Sequence, residues 1–161
     1  EPGGAPGQFH LPHGIAVDGD GLVYVADREN SRIQIFTHDG VYVSEWTDVA
    51  RPCQVFIDRD GDVYVAELGY HAGMWPGTSA PEGGGGGRLS IFDRTGELKA
   101  RWGGGRHPCA AGDFYAPHDV WVDSRGDIYV AEVTMSAGGD RGLVPPTCHS
   151  LQKFVRPSRT P

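Results

Sequence analysis

Two histidines, His13 and His118, each follow a proline at the same position of a repeated segment. Neutral imidazole nitrogens are ligands that zinc, copper and other borderline metal ions prefer. If the fold brings the two positions together, the sequence predicts a metal site between them. The alternative is that each Pro-His pair belongs to a turn in which the imidazole bonds to a neighbouring carbonyl group.

A cysteine, Cys53, replaces histidine at this position in the middle repeat. Its thiolate would add a softer ligand, although a small buried apolar side chain is the more common role of such a cysteine. The chain also contains Cys109 and Cys148. One disulfide with a free thiol and three reduced thiols both fit this odd number.

Two charged residues stand out close to these positions. Arg28 has no basic equivalent in the other repeats, where Leu68 and Val133 stand. Because the repeat does not explain Arg28, we expect it to anchor a substrate. Asp119 could give a carboxylate oxygen to calcium, but calcium takes about six to eight oxygen ligands. Backbone carbonyl groups would have to complete that site.

The second strand of each repeat ends in an acidic residue, Asp27, Glu67 or Glu132. Recurrence at one position is typical of a structural role. We therefore expect these carboxylates to bond to loop N–H groups or to Arg32 and Arg88, which begin the third strands.

The elements that position these residues recur three times. Segments of 15 residues start at His13, Cys53 and His118 and align without gaps, so successive starts are 40 and 65 residues apart. Each has an alternating apolar strand, a turn with aspartate and glycine, and a Val/Ile-Tyr-Val-Ala strand. Aspartate bonds to its own backbone and glycine accepts positive φ, which favours a hairpin. A period of about 40–50 residues is typical of propellers and solenoids.

The pattern predicts one all-β domain over residues 1–161, built from three four-stranded antiparallel propeller blades. The blades cover about residues 9–46, 51–102 and 114–155, with the last one incomplete and loop inserts at 69–87 and 136–148. Closed propellers have about four to eight blades. Three blades leave two faces open, and we expect a second copy of the chain to cover them.

Composition argues against two classes of partner. The formal net charge is −7, and arginine and lysine do not cluster with aromatic residues, so nucleic acid is not an expected partner. No apolar run approaches the roughly 18 residues of a membrane span, so no membrane partner is expected either.

The segments Leu11-Pro-His-Gly14 and Tyr24–Ile33 resemble NHL-repeat propellers. The closest resemblance is to the C-terminal half of the six-bladed domain of the peptidyl-α-hydroxyglycine α-amidating lyase family, and it covers essentially the whole chain. That family cleaves the C–N bond of a carbinolamide to give an amide and glyoxylate. It uses zinc held by three histidines near the central channel, with calcium as a structural ion.

The resemblance implies roles for four residues of this chain. Two zinc histidines match His13 and His118, the calcium carboxylate matches Asp119, and an arginine that helps to hold substrate matches Arg28. The family's first zinc histidine and its catalytic tyrosine belong to blades before those matched here. The resemblance therefore implies half of a six-bladed propeller, whose mechanism needs a completed channel.

Together, the residues and the resemblance predict a metal-dependent, lyase-like NHL propeller acting on a small molecule or peptide. One alternative is a non-enzymatic NHL scaffold that binds a peptide or protein partner. Another is a different zinc or copper enzyme formed by dimerised half-propellers.

Overall fold

Strands dominate the computed structural model, which describes residues 2–71 and 85–157. They form two four-stranded sheets and one three-stranded sheet, all antiparallel. The first blade contains β1 (Pro12–Val17), β2 (Val23–Asp27), β3 (Arg32–Phe36) and β4 (Tyr42–Trp46). The second contains β5 (Pro52–Ile57), β6 (Val63–Glu67), β7 (Arg88–Phe92) and β8 (Leu98–Gly103). The third contains β9 (Pro117–Val122), β10 (Ile128–Glu132) and β11 (Leu151–Phe154).

This architecture confirms the predicted all-β propeller class, including the shorter third blade. Helical structure in the described residues is limited to short turns at Arg28–Asn30, Thr134–Ala137 and Gly139–Arg141. Residues 72–84 of the predicted insert at 69–87 lie outside the described residues. No helix in the described parts of the chain is both long and apolar enough to span a membrane.

The turn between the first two strands of each blade has the same hydrogen bonds three times. In the first blade, Asp18 Oδ1 accepts the N–H groups of Asp20 and Leu22, both at 2.9 Å. The Tyr24 hydroxyl donates to Asp18 Oδ2 at 3.3 Å, and burial raises the pKa of Tyr24 to about 12, so it remains a donor. Equivalent tyrosine–aspartate bonds join Tyr64 to Asp58 and Tyr129 to Asp123. The repeated Asp and Tyr therefore close the hairpin.

Two apolar layers lie between the blades. The first layer, between blades one and two, contains Tyr24, Ile33, Val65 and Phe92. The second layer, between blades two and three, contains Tyr64, Leu89, Phe114, Val120, Val122 and Val130. Because both faces of the middle blade are covered, every residue of β6 is buried. The middle blade thus fixes the position of β5 between β1 and β9.

The recurring carboxylates have the structural role expected from their recurrence. Arg32 Nε lies 2.8 Å from Asp27 Oδ2, and Arg88 Nε lies 2.8 Å from Glu67 Oε2. Glu132 Oε2 accepts the N–H groups of Tyr115 and Ala116, at 2.8 and 3.1 Å. These groups tie the loops to the ends of the second strands.

Two of the three cysteines form a disulfide, and the third is a free thiol. Cys109, in the connection between blades two and three, is bonded to Cys148, in the insert of the third blade. Cys53 is free and completely buried. The sequence left this pairing open because cysteine spacing alone does not define connectivity.

Candidate functional site

The starts of the three innermost strands converge on one point. His13, Cys53 and His118 are each the second residue of β1, β5 or β9, and their ligand atoms all lie within 4.8 Å of one another. The imidazole centroids of His13 and His118 are 4.5 Å apart, with the rings nearly perpendicular at 86°. The structure therefore brings together the predicted histidine pair, and it adds Cys53 to them.

A β-bulge positions each of these three side chains. In β1, Pro12 pairs with Asp27 and Gly14 with Ala26, which leaves His13 between them without a partner. The same register shift leaves Cys53 unpaired between Pro52 and Gln54, and His118 unpaired between Pro117 and Asp119. Bulges re-aim side chains, and they are common near active sites. Proline suits the position before the bulge because it has no N–H to donate to the ladder.

Hydrogen bonding defines the state of His13. Its Nδ1 lies 2.9 Å from the backbone oxygen of Cys53. Because a carbonyl oxygen only accepts, Nδ1 carries a proton, and in the neutral imidazole the lone pair is therefore on Nε2. The bond to a carbonyl group expected from the turn alternative is thus present, and it is the arrangement that orients metal-binding histidines.

Burial favours the neutral forms of the other two groups. Burial, then His13 and then Arg28 hold the pKa of His118 below its ordinary value, so its imidazole is neutral at neutral pH. Burial raises the pKa of the Cys53 thiol to about 11, while the charges of Arg28 and Arg51 oppose that rise. A neutral imidazole is the form that binds metal.

Arg28 belongs to a buried charge cluster beside the three side chains. Its Nε lies 2.9 Å from Glu29 Oε1, and Arg51 Nη2 lies 2.8 Å from the same oxygen. Although burial alone would raise the pKa of Glu29, hydrogen bonds from Arg51 and Arg28 hold it below its ordinary value. Two guanidinium groups share one carboxylate, so the cluster carries one net positive charge and favours an anionic ligand.

Sequence reasoning missed Glu29 and Arg51. The signal that singled out Arg28 also marks Arg51, since the repeat-equivalent residues are Leu11 and Ala116. Arg51 is 2% exposed and has a φ of +50°, which is uncommon for a residue other than glycine. Its Nη1 also donates to the carbonyl oxygen of Gly69 at 3.4 Å.

Asp119 directly follows His118, and its charge partly opposes the lowering of the His118 pKa. It is exposed on β9, and its Oδ1 accepts the N–H of Val120 at 2.8 Å. It is not a member of the His13, Cys53 and His118 group found among the described residues. The calcium role of Asp119 stays a prediction.

Comparisons with known proteins agree with the fold. The NHL repeat model matches residues 9–36. NHL repeat-containing protein 3 from Homo sapiens is 32% identical over 139 residues, covering 83% of this chain and 35% of the human protein. The chain therefore spans about a third of the length of this human protein and of NHL repeat-containing protein 3 from Mus musculus.

Solved structures share the architecture at low sequence identity. A Bacteroides caccae protein of unknown function has a TM-score of 0.64 at 13% identity, covering 88% of this chain and 44% of that one. Virginiamycin B lyase from Staphylococcus aureus has a TM-score of 0.53 at 20% identity, covering 91% of this chain and 41% of that one. These likenesses concern the fold alone. Together with the repeat match they support an NHL-type β-propeller, and the resemblance to amidating lyases stays a prediction.

Proposed function

We propose that this NHL-type propeller is a metal-dependent, lyase-like enzyme that cleaves a carbon–nitrogen bond, with His13 and His118 as metal ligands at the central channel. One observation carries this proposal: two separate β-bulges aim imidazoles at the same point, with ring centroids 4.5 Å apart. Structural neighbours that include a lyase are compatible with it through their fold.

The residues present fit a borderline metal ion. Two imidazoles with a free thiol beside them form a nitrogen and sulfur donor set that suits zinc and also copper. Catalytic zinc commonly has three protein ligands and one open position. An ion held there would act as a Lewis acid toward a substrate oxygen.

The protein's own charges would orient the substrate. Arg28 is 8% exposed, and its Nε is engaged by Glu29. We assign the rest of its guanidinium group to an anionic group of the substrate, such as a carboxylate. A buried guanidinium binds carboxylate more strongly than an exposed one, because less water competes for its hydrogen bonds.

The test is release of glyoxylate from an N-acyl-α-hydroxyglycine. We expect zinc-loaded protein to be active. The His13→Ala variant should lose at least about 100-fold in activity, because removing a ligand costs more than changing a residue that only supports a ligand. His38→Ala is the matched control, since its side chain is 78% exposed and lies in another turn. Unchanged activity in His13→Ala would contradict the proposal. A peptide or protein partner retained under chelation, without any activity, would favour the scaffold alternative.

A further inference from the structure

Cys53 stands where a third ligand is needed. We propose that its thiolate completes the metal site with His13 and His118, giving two nitrogen ligands and one sulfur ligand. This inference rests on the proposed metal centre and defines its donor set.

The backbone geometry at Cys53 is the same as at the two histidines. Its side chain leaves a β-bulge directly after a proline, and its Sγ belongs to the group of ligand atoms within 4.8 Å of one another. A cysteine that only filled an apolar gap would not need this repeated arrangement. The other two cysteines are joined in a disulfide, which leaves Cys53 as the free thiol of the chain.

The surroundings of the sulfur include cationic and polar groups. The Arg28 guanidinium and the backbone N–H of Leu68 lie close to the Cys53 sulfur, and they partly oppose the rise in its pKa that burial causes. Tyr115 and Ala116 supply the apolar side of the same pocket. Arg28 is already paired with Glu29, and the same guanidinium group would also offset part of the charge of a buried thiolate.

Cys53 also holds a neighbouring ligand in place. Its backbone oxygen accepts the hydrogen bond from His13 Nδ1 at 2.9 Å, which leaves His13 Nε2 available. One residue would therefore bind the ion through sulfur and orient a second ligand through its backbone. Such support behind a metal ligand fixes both the tautomer and the ring orientation.

The binding step balances without a change of oxidation state. A sulfur–metal bond forms, the S–H bond of Cys53 breaks, and the proton passes to the solvent. A neutral imidazole binds a metal ion without releasing a proton. The thiolate and a divalent ion together leave one positive charge at the site, before Arg28 is counted.

Cobalt(II) is the probe that separates this inference from the proposed function. We expect the wild-type protein to bind cobalt with a thiolate-to-cobalt charge-transfer band in the near ultraviolet. Cys53→Ser should lose that band and bind cobalt more weakly, by more than the roughly 10–100-fold that changes behind the ligands cost. His13→Ala should also bind weakly, but should keep the band at saturating cobalt.

Proton release gives a second readout that does not depend on the spectrum. Titration calorimetry in buffers of different ionisation enthalpy should show about one proton released per cobalt ion in the wild type and about none in Cys53→Ala. Near-ultraviolet circular dichroism of the Ser and Ala variants checks that the fold is retained. Cobalt bound without the band and with unchanged affinity in Cys53→Ser would overturn the thiolate ligand alone. A wild-type protein that binds no cobalt would overturn the metal centre as well.

Discussion

At the scale of single residues, the repeat register identified the histidine pair and Arg28, but not Glu29 and Arg51. His13 and His118 share a repeat position, so a propeller brings them together. Glu29 and Arg51 meet only because the turn after β2 packs against the segment before β5. That contact joins blade one to blade two, and the spacing of residues in the sequence does not predict it. The repeat alignment placed Cys53 at the position that the two histidines share. The fold then showed that its sulfur lies close to both imidazoles.

The shared carboxylate of Glu29 gives a stability prediction. Glu29→Gln leaves Arg28 and Arg51 without their common partner, so we expect the free energy of unfolding to fall by about 2–3 kcal/mol. Urea unfolding measures this, with the exposed Glu97→Gln as control. Because the pKa of Glu29 is lowered in the folded protein, its contribution is present above its unfolded pKa and disappears as pH falls through the folded value. The difference between wild type and Glu29→Gln should therefore shrink on acidification below about pH 4. A difference below about 0.5 kcal/mol at pH 7 would contradict the cluster.

At the scale of elements, the strands followed from alternation and from the Asp-Gly turns, and the bulges did not. A bulge changes the pairing by one residue while the apolar pattern continues, so periodicity does not reveal it. The Pro-His and Pro-Cys dipeptides mark its location only after the register is known. The disulfide likewise required the positions of the inter-blade connection and the third insert.

Close contact between β1 and β5 predicts the effect of a single methyl group. A Cβ on Gly14 would lie 2.5 Å from the Cys53 backbone oxygen and 2.8 Å from Gln54 Cα. We expect Gly14→Ala to destabilise the fold by about 1–3 kcal/mol and to weaken metal binding, because the two strands must separate at the ligands. Gly19→Ala is the control, since its Cβ would meet nothing within 4 Å. Thermal unfolding and zinc titration measure the two effects, and equal behaviour of both variants would refute the close packing.

At the scale of the whole molecule, two blade faces are open in the described residues. Ile15 and Val17 are 64% and 61% exposed on one face, and Leu151 is 65% exposed on the other. Repeat-equivalent residues are packed inside the molecule, where Val55 adjoins blade one and Leu89 adjoins blade three. Each open face therefore carries apolar residues at positions that pack against a neighbouring blade inside the molecule. The blade count and these faces were predictable from the repeat, and a second copy of the chain as the partner that covers them stays a prediction.

Charged residues in the turns at the edges of the blade faces can be compared in the same way. Within the molecule, Asp20 of blade one pairs with Arg94 of blade two at 2.6 Å. At the open ends, Arg125 occupies the position equivalent to Asp20, and the position equivalent to Arg94 is His38, which is followed by Asp39. Opposite charges would again face each other across a contact between two copies.

We propose that a second copy of the chain covers these faces and completes a six-bladed ring. Light scattering on purified protein should give twice the chain mass of 17.3 kDa. Leu151→Glu should shift the protein toward the monomer, because it places a charge on an apolar face. Leu98→Glu, on the outer strand of the middle blade, should not. A monomer at all working concentrations would refute this assembly.

The metal content of the purified protein tests the central claim most directly. Protein dialysed against zinc should retain stoichiometric metal, and a strong chelator should remove it. The double variant His13→Ala/His118→Ala should retain none under the same conditions, while His38→Ala behaves as wild type. Wild-type protein without bound metal, or a double variant that keeps it, would contradict a metal centre at these two histidines.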